Sequence, residues 1–475
     1  MVFVLSTASS QETALPGPQC QDFASSYKLS AEQISRANIS QATAYNVEIA
    51  LNFERSNWAT NSVTVDPFYR VDTTWSSSAL PGTLFTIENV TNTSLYTLPA
   101  SVSLSRITYQ TLALNGTTTP TSAYILWPYI PRSFTNISGH PIIGWAHGTS
   151  GIFPECAPSH IRNLWYQYSA PFTMALQGYV VVAPDYAGLG IGRTSRNHGT
   201  LIKHPYLLSF SQAHDLLYAV KAAQAAFPSL SQSFVTVGHS QGGGAVWAAA
   251  TLSANMSHLS GYLGTVAASP TPAGTAYLEI LSKVAPGGLP VSLYLAYGIQ
   301  AAYEGVDGRE IFTSEGLQRL ALFQELRGCS SVATLLFEMH KTPWVTPNIS
   351  AHWAARAFAA AGDYSAKAIG VPMLVLQGLS DETVLPAWTQ ESVERTCAAF
   401  PGSALDLVAF EGVTHVPVMY AGQRIWLDWV ADRFNGVPVE GGCRTSTIKG
   451  MREKGDYLAE FNYFLEPVTE AYQVA

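Results

Sequence analysis

The chain has 475 residues, 47% of them hydrophobic but only 12% charged, with a formal net charge of −8. The length suits one large core carrying insertions, and a charged share about half the usual one leaves the surface to neutral polar groups or glycans. The acidic balance, without any Lys/Arg run, excludes nucleic acid as a partner and electrostatic adhesion to an anionic membrane; no apolar stretch approaches the ~18–20 residues that span a bilayer.

Residues 1–10 are too short for a full secretory signal and lack a basic start; either they are its truncated remnant or the chain is not exported, and the sequons and cysteines favour the remnant. Residues 1–60, rich in serine, glutamine and alanine, are expected to form a covering arm with one helix. Strand-like runs follow at 122–129 and 141–147, then at 179–184, 233–238 and 371–377. The run 179–184 (YVVVAP) is continuously apolar, as a strand buried on both faces should be. Between these runs, Ala213, Leu216, Leu217, Val220, Ala223 and Phe227 mark one helix face, and 244–255 predicts a more buried helix. Strands alternating with helices predict a mostly parallel sheet covered on both sides.

From 271 to 365 the strand signal stops, and helices are predicted at 277–285, 293–304, 314–327 and 331–340. Because sheet-type sequence resumes at 371, this stretch reads as an inserted helical cap rather than a separate domain. The core is then divided into 61–270 and 366–475, the latter with a C-terminal extension.

Asn-x-Ser/Thr sequons at Asn38, Asn89, Asn92, Asn115, Asn136, Asn255 and Asn348 point to a secretory route. The five cysteines show no Cys-x-x-Cys pair and read as two disulfides plus one spare thiol.

Gly238-His239-Ser240-Gln241-Gly242 matches Gly-x-Ser-x-Gly and lies between a predicted strand and a predicted helix, the setting of a nucleophile elbow. The turn is so tight that side chains two residues either side of the serine would collide, and glycine at 238 and 242 removes them. A serine hydroxyl needs a base, and in an α/β-hydrolase fold acid and histidine follow in that order. Asp381 follows the strand-like run at 371–377, with Glu382 as its only close rival, and His415, the one histidine downstream, follows a further strand-like run within 406–418. Ser240 is therefore the candidate nucleophile, His415 the base and Asp381 the residue that orients it. The tetrahedral intermediate needs backbone donors: the Gln241 amide is one candidate, and the Gly148 or Thr149 amide in His147-Gly148-Thr149-Ser150-Gly151 the other, its glycines letting backbone approach the substrate. His147 and Thr149 are expected to orient this loop. Asp185 precedes Ser240, against the chain order for the acid, and His239 is expected to point away from the nucleophile as a packed residue. No histidine cluster has metal-ligand spacing and no dinucleotide-type phosphate loop occurs, so no cofactor or metal is implied.

Together these residues resemble the fungal secretory lipase family. The likeness rests on Asp66-Pro67-Phe68-Tyr69, Cys156-Ala157-Pro158-Ser159, the elbow at Ser240, Asp381-Glu382-x-Val384-x-Pro386 and His415, and runs to about Cys443. The resemblance implies a helical cap before the acid, a Cys156–Cys329 disulfide tying the oxyanion side to the cap, and a Cys397–Cys443 disulfide; Cys20 is left unpaired. The chain departs from a well-known member of that family at His147, where that member carries an Asp, and at Gln241, where it has a small residue.

The leading expectation is a secreted ester hydrolase acting through an acyl-enzyme on acylglycerols or other lipophilic esters, at a lipid–water interface. Deacylation of a small acylated metabolite, acyl transfer or peptide hydrolysis on the same triad, and an inactive binding protein are the alternatives. Leu293 to Tyr297 and Leu335 to Met339 could line an acyl tunnel or simply pack the cap. Acyl chain length and oligomeric state are not encoded legibly.

Overall fold

The computed structural model describes residues 26–71, 75–194, 199–255, 261–284, 290–337 and 343–459. Strands β1 (Leu84–Glu88), β2 (Val102–Leu112), β3 (Thr118–Pro128), β4 (His140–Ala146), β5 (Val180–Pro184), β6 (Leu230–His239), β7 (Tyr262–Ala268), β8 (Met373–Gly378), β9 (Leu405–Phe410) and β10 (Cys443–Ile448) form one sheet. Their order is β1-β2-β3-β5-β4-β6-β7-β8-β9-β10. Pairing is antiparallel from β1 through β3 to β5 and parallel from β5 onward.

Side chains alternate between the two faces, as the pleat requires. Ile142, Val180 and Val182 join one core with Leu216 and Trp247. Ile143, Trp145, Val181 and Ala183 join the other with Trp426 and Phe434. The helices that supply these layers are α1 (Ala31–Arg36), α2 (Gln41–Ser56), α3 (Pro171–Leu176), α4 (Ser209–Ala226) and α5 (Gln241–Ser253) before β7. After β8 come α12 (Pro386–Ala399), α13 (Pro417–Ala421) and α14 (Gln423–Phe434), while α6 (Thr275–Val284), α7 (Pro290–Ala302), α8 (Gly308–Ile311), α9 (Ser314–Leu326), α10 (Ser330–Leu336) and α11 (Trp353–Gly362) all lie between β7 and β8. Helix α5 is apolar around its whole circumference because it is buried on every side, from Gln241 to Thr251.

The N-terminal arm contains two helices, α1 and α2, where one was expected. Ser30 and Gln33 close a capping box on α1, and the Ser40 hydroxyl caps α2. Strands β1, β2, β7 and β10 and helices α3, α8, α11, α12, α13 and α14 were not anticipated. β2 escaped notice because its buried side chains include Arg106, Thr108, Gln110 and Thr111, which interrupt any apolar pattern. Arg106 donates to Asp66 and Glu88, and Thr111 to Asp215. β10 is an edge strand with an exposed interior, where no apolar signal is needed.

Leu293, Tyr294, Leu295, Ala296, Leu335, Leu336 and Phe337 are buried in the same core as α4 and α5, which makes them packing residues; Glu338 and Met339 lie outside the described residues. Cys156 is bonded to Cys329 and Cys397 to Cys443, and Cys20 lies outside the described residues. The seven sequon asparagines are all exposed. Among the described residues no helix is long and apolar enough to cross a membrane.

Candidate active site

Ser240 sits between the last residue of β6 and the first of α5, at φ 59° and ψ −120°. A non-glycine residue holds such dihedrals only where its surroundings over-determine them. The two glycines explain how. A Cβ at Gly238 would lie 2.2 Å from the Gly242 carbonyl oxygen, and one at Gly242 only 1.9 Å from that of Ala146 on β4. Strand β4 thus presses on the turn, and the serine is pushed up at the carboxyl edge of the parallel strands, 8% exposed. The Gln241 amide is the first of α5 and has no partner within the helix.

Asp381 follows β8 and is held on all sides. Oδ1 accepts the amides of Thr383 and Val384, each at 2.9 Å, and Oδ2 accepts His415 Nδ1–H at 2.7 Å. Burial pushes its carboxyl up, but the facing His415 and these donors outweigh it and hold it at about 2. The Gln377 amide also reaches Oδ2, at 3.3 Å, and is itself fixed by Thr389. Gln377 went unnoticed in the sequence, although it is the single polar side chain of an otherwise apolar strand. Glu382 is exposed, so geometry separates the two acids.

His415 is 3% exposed. Because Nδ1 faces a carboxylate, its proton lies there and Nε2 carries the lone pair; Nε2 is buried and makes no hydrogen bond among the described residues. The His239 ring is buried and lies 4.5 Å from that of His415.

The loop after β4 is held by its own side chains. His147 contacts the Gly148 carbonyl at 2.7 Å and the Asp185 carbonyl at 3.3 Å, and stacks on Tyr186 at 4.3 Å. Burial pulls its pKa down to about 4, leaving a neutral ring with one N–H, which the shorter contact claims. Thr149 hydrogen-bonds Tyr206 at 2.7 Å. Gly148 was expected to admit substrate. What its missing side chain admits is the Tyr166 hydroxyl, which a Cβ would meet at 2.0 Å. Gly151 likewise makes room for Cys156, whose Sγ would lie 2.4 Å from a Cβ there. The Gln241 side chain donates to His204 Nε2 at 2.9 Å, and His204 in turn donates to the Ala187 carbonyl. Burial pulls the His204 pKa down to about 3, which keeps that acceptor unprotonated.

Asp185 is buried beneath the site. Its oxygens accept from Ser122, the Ser159 amide and the Ser159 hydroxyl at 2.6, 2.8 and 2.5 Å, which assigns it a structural place. Tyr166 belongs to an unusual turn, Leu164 to Gln167, in which consecutive non-glycine residues have φ of 54°, 56°, 61° and 41°. Left-handed backbone costs L-residues ~1–2 kcal/mol each. No periodicity in the sequence announces it.

The fold is similar to that of Candida antarctica lipase A in its closed state, with a TM-score of 0.64 and 15% identity over 82% of this chain and 90% of that one. It is also similar to a rice cell wall degrading esterase, LipA, from Xanthomonas oryzae, with a TM-score of 0.56 and 19% identity over 74% of this chain and 100% of that one. None of the curated proteins matches the chain. Residues 145–425 match the model of the Alpha/beta hydrolase family, a stretch that includes Ser240, Asp381 and His415, and the chain belongs to that family.

Proposed function

We propose that this protein is a serine carboxylic ester hydrolase in which Ser240 is the nucleophile, His415 the general base and Asp381 its orienting acid. The observation that carries the reading is the strained Ser240 at the carboxyl edge of the sheet, one residue from the His239 that holds the backbone of His415 at 3.0 Å. His415 Nε2 takes the proton as Ser240 Oγ attacks the acyl carbonyl, then returns it to the leaving alcohol, and water hydrolyses the acyl-enzyme by the same route. The Ser–His hydrogen bond is made as substrate binds, since such bonds commonly tighten only in the Michaelis complex. The Gln241 amide and that of Gly148 or Thr149 receive the oxyanion.

Lipophilic esters, acylglycerols among them, are the proposed substrates, supported by the names of the lipase and the esterase that share the fold. The helices between β7 and β8 are proposed as a cap over the site. Exposed sequons and two disulfides support a secreted glycoprotein.

A p-nitrophenyl ester series from acetate to palmitate, with wild type and Ser240→Ala, tests the reading. Wild type should turn over the longer esters, and the variant should lose about three orders of magnitude or more in kcat. Equal rates in both proteins would remove Ser240 from the mechanism, while turnover confined to short esters would overturn the lipophilic substrate class alone.

A further inference from the structure

Asp381 fixes only the ring of His415; its backbone needs a second anchor if Nε2 is to stay aimed at Ser240. His239 Nε2 lies 3.0 Å from the His415 carbonyl oxygen, and Tyr166 Oη lies 2.6 Å from His239 Nδ1. A carbonyl can only accept, so Nε2 carries the N–H. Burial, with His415 adding to it, keeps the His239 pKa well below its ordinary value, and the ring is neutral with a bare Nδ1. The Tyr166 hydroxyl must therefore donate to it. All three groups are buried, so none can turn to water for a substitute partner.

The protein meets two conditions to put that hydroxyl there. Backbone from Leu164 to Gln167 is held left-handed without a glycine, and residue 148 lacks the Cβ that would lie 2.0 Å from Tyr166 Oη. Strain of this kind persists where function or packing demands it. We propose, resting on the assignment of Ser240, His415 and Asp381 above, that Tyr166 is a positioning residue for catalysis: its hydroxyl fixes the orientation of the His239 ring so that His239 Nε2–H holds the backbone of His415. Without the Tyr166 hydroxyl, His239 Nδ1 is left a buried acceptor with no donor. A ring tethered at Nε2 alone can tilt away from the His415 carbonyl, which loosens the loop carrying the base. Misplacing a base by about 1 Å is enough to cost up to about a hundredfold in rate.

The test uses the whole protein and a p-nitrophenyl ester, with Ser240→Ala, Tyr166→Phe, His239→Phe and the double variant Tyr166→Phe/His239→Phe. Tyr166→Phe should lower kcat about tenfold or more and leave KM within about twofold, because the hydroxyl is buried and committed to His239 Nδ1. In the His239→Phe background the same change should alter kcat by less than about twofold, since the group it acts through is gone. A Tyr166→Phe enzyme with wild-type kcat overturns the proposal, as does an equal loss in both backgrounds.

Should Tyr166→Phe not fold, His239→Gln and His239→Phe give the second comparison. Only glutamine keeps an N–H for the His415 carbonyl, so it should exceed phenylalanine in kcat about tenfold; equal rates overturn the link from His239 to His415 on which the proposal depends. Retention of activity by Ser240→Ala would instead defeat the hydrolase reading itself, so the two failures are distinct.

Discussion

Glu54, near the end of α2, is a buried carboxylate whose oxygens accept the amides of Cys329 and Val332 at 2.7 and 2.9 Å. Those amides open α10, which donates from Ser330 to the Ser150 carbonyl beside the candidate oxyanion loop. Burial raises the carboxyl from 4.5 to about 7, against the pull of these donors and of Arg55. Between those two values the folded chain holds a proton that the unfolded chain has released, so stability falls as pH rises through the window. Integrating from pH 5 to pH 8, the loss assigned to Glu54 is about 2–3 kcal/mol. Glu54→Gln has no proton to lose and keeps one acceptor for the two amides; its second amide site opposes a donor, a pH-independent cost of about 1–3 kcal/mol. Urea unfolding of both proteins at pH 5 and pH 8 isolates the titration, because groups common to both cancel in the double difference. The variant should gain about 2–3 kcal/mol relative to wild type between the two pH values. A difference that is constant with pH, or that moves the other way, would refute the reasoning.

Asp381→Asn should lower kcat about 10³–10⁴-fold, by favouring the wrong His415 tautomer, with little change in KM; retained turnover would reassign the acid. Since Asp381 is held at about 2, its contribution to stability is full above pH 3.8, lost as pH falls towards 2, and absent from activity changes above pH 5. Gly242→Ala places a Cβ 1.9 Å from backbone oxygen and should destabilise the fold by about 3 kcal/mol or more, or abolish labelling of Ser240 by a fluorophosphonate; a variant normal in thermal unfolding and labelling would contradict the packing. The Cys156–Cys329 and Cys397–Cys443 bonds join residues 173 and 46 apart, for which chain entropy gives about 5 and about 4 kcal/mol. Removing the first pair should therefore cost more in denaturant unfolding, and the reverse order would count against an entropic origin. Protein made in a secretory host should lose mass on enzymatic deglycosylation, and an unchanged mass would remove the glycan assignment.

Much of the scaffold was legible because it is written locally. A strand buried on both faces must be apolar throughout, as 180–184 is, and a helix with one buried face must repeat its apolar residues every three or four positions. The elbow is local as well: a turn that tight tolerates no side chain at 238 or 242. Chain order then singled out Asp381 and His415, which do meet in the folded chain.

Polar burial was not legible. β2 hides Arg106 behind Asp66 and Glu88, and a residue so buried looks in the sequence like one at the surface. Gln377, Tyr166 and Glu54 are in the same position, for their partners lie at a distance: Tyr166 and His239 are 73 residues apart, Glu54 and Cys329 275. The amino-acid sequence by itself determined the apolar inner strands of the sheet, the helices α4 and α5 that cover it and the turn that exposes Ser240, since short-range periodicity and backbone sterics act within a few residues. Which polar groups face one another, and hence which carboxylate is paired and which imidazole is neutral, only the tertiary structure decided, because hydrogen bonding and desolvation depend on neighbours that folding brings from far along the chain.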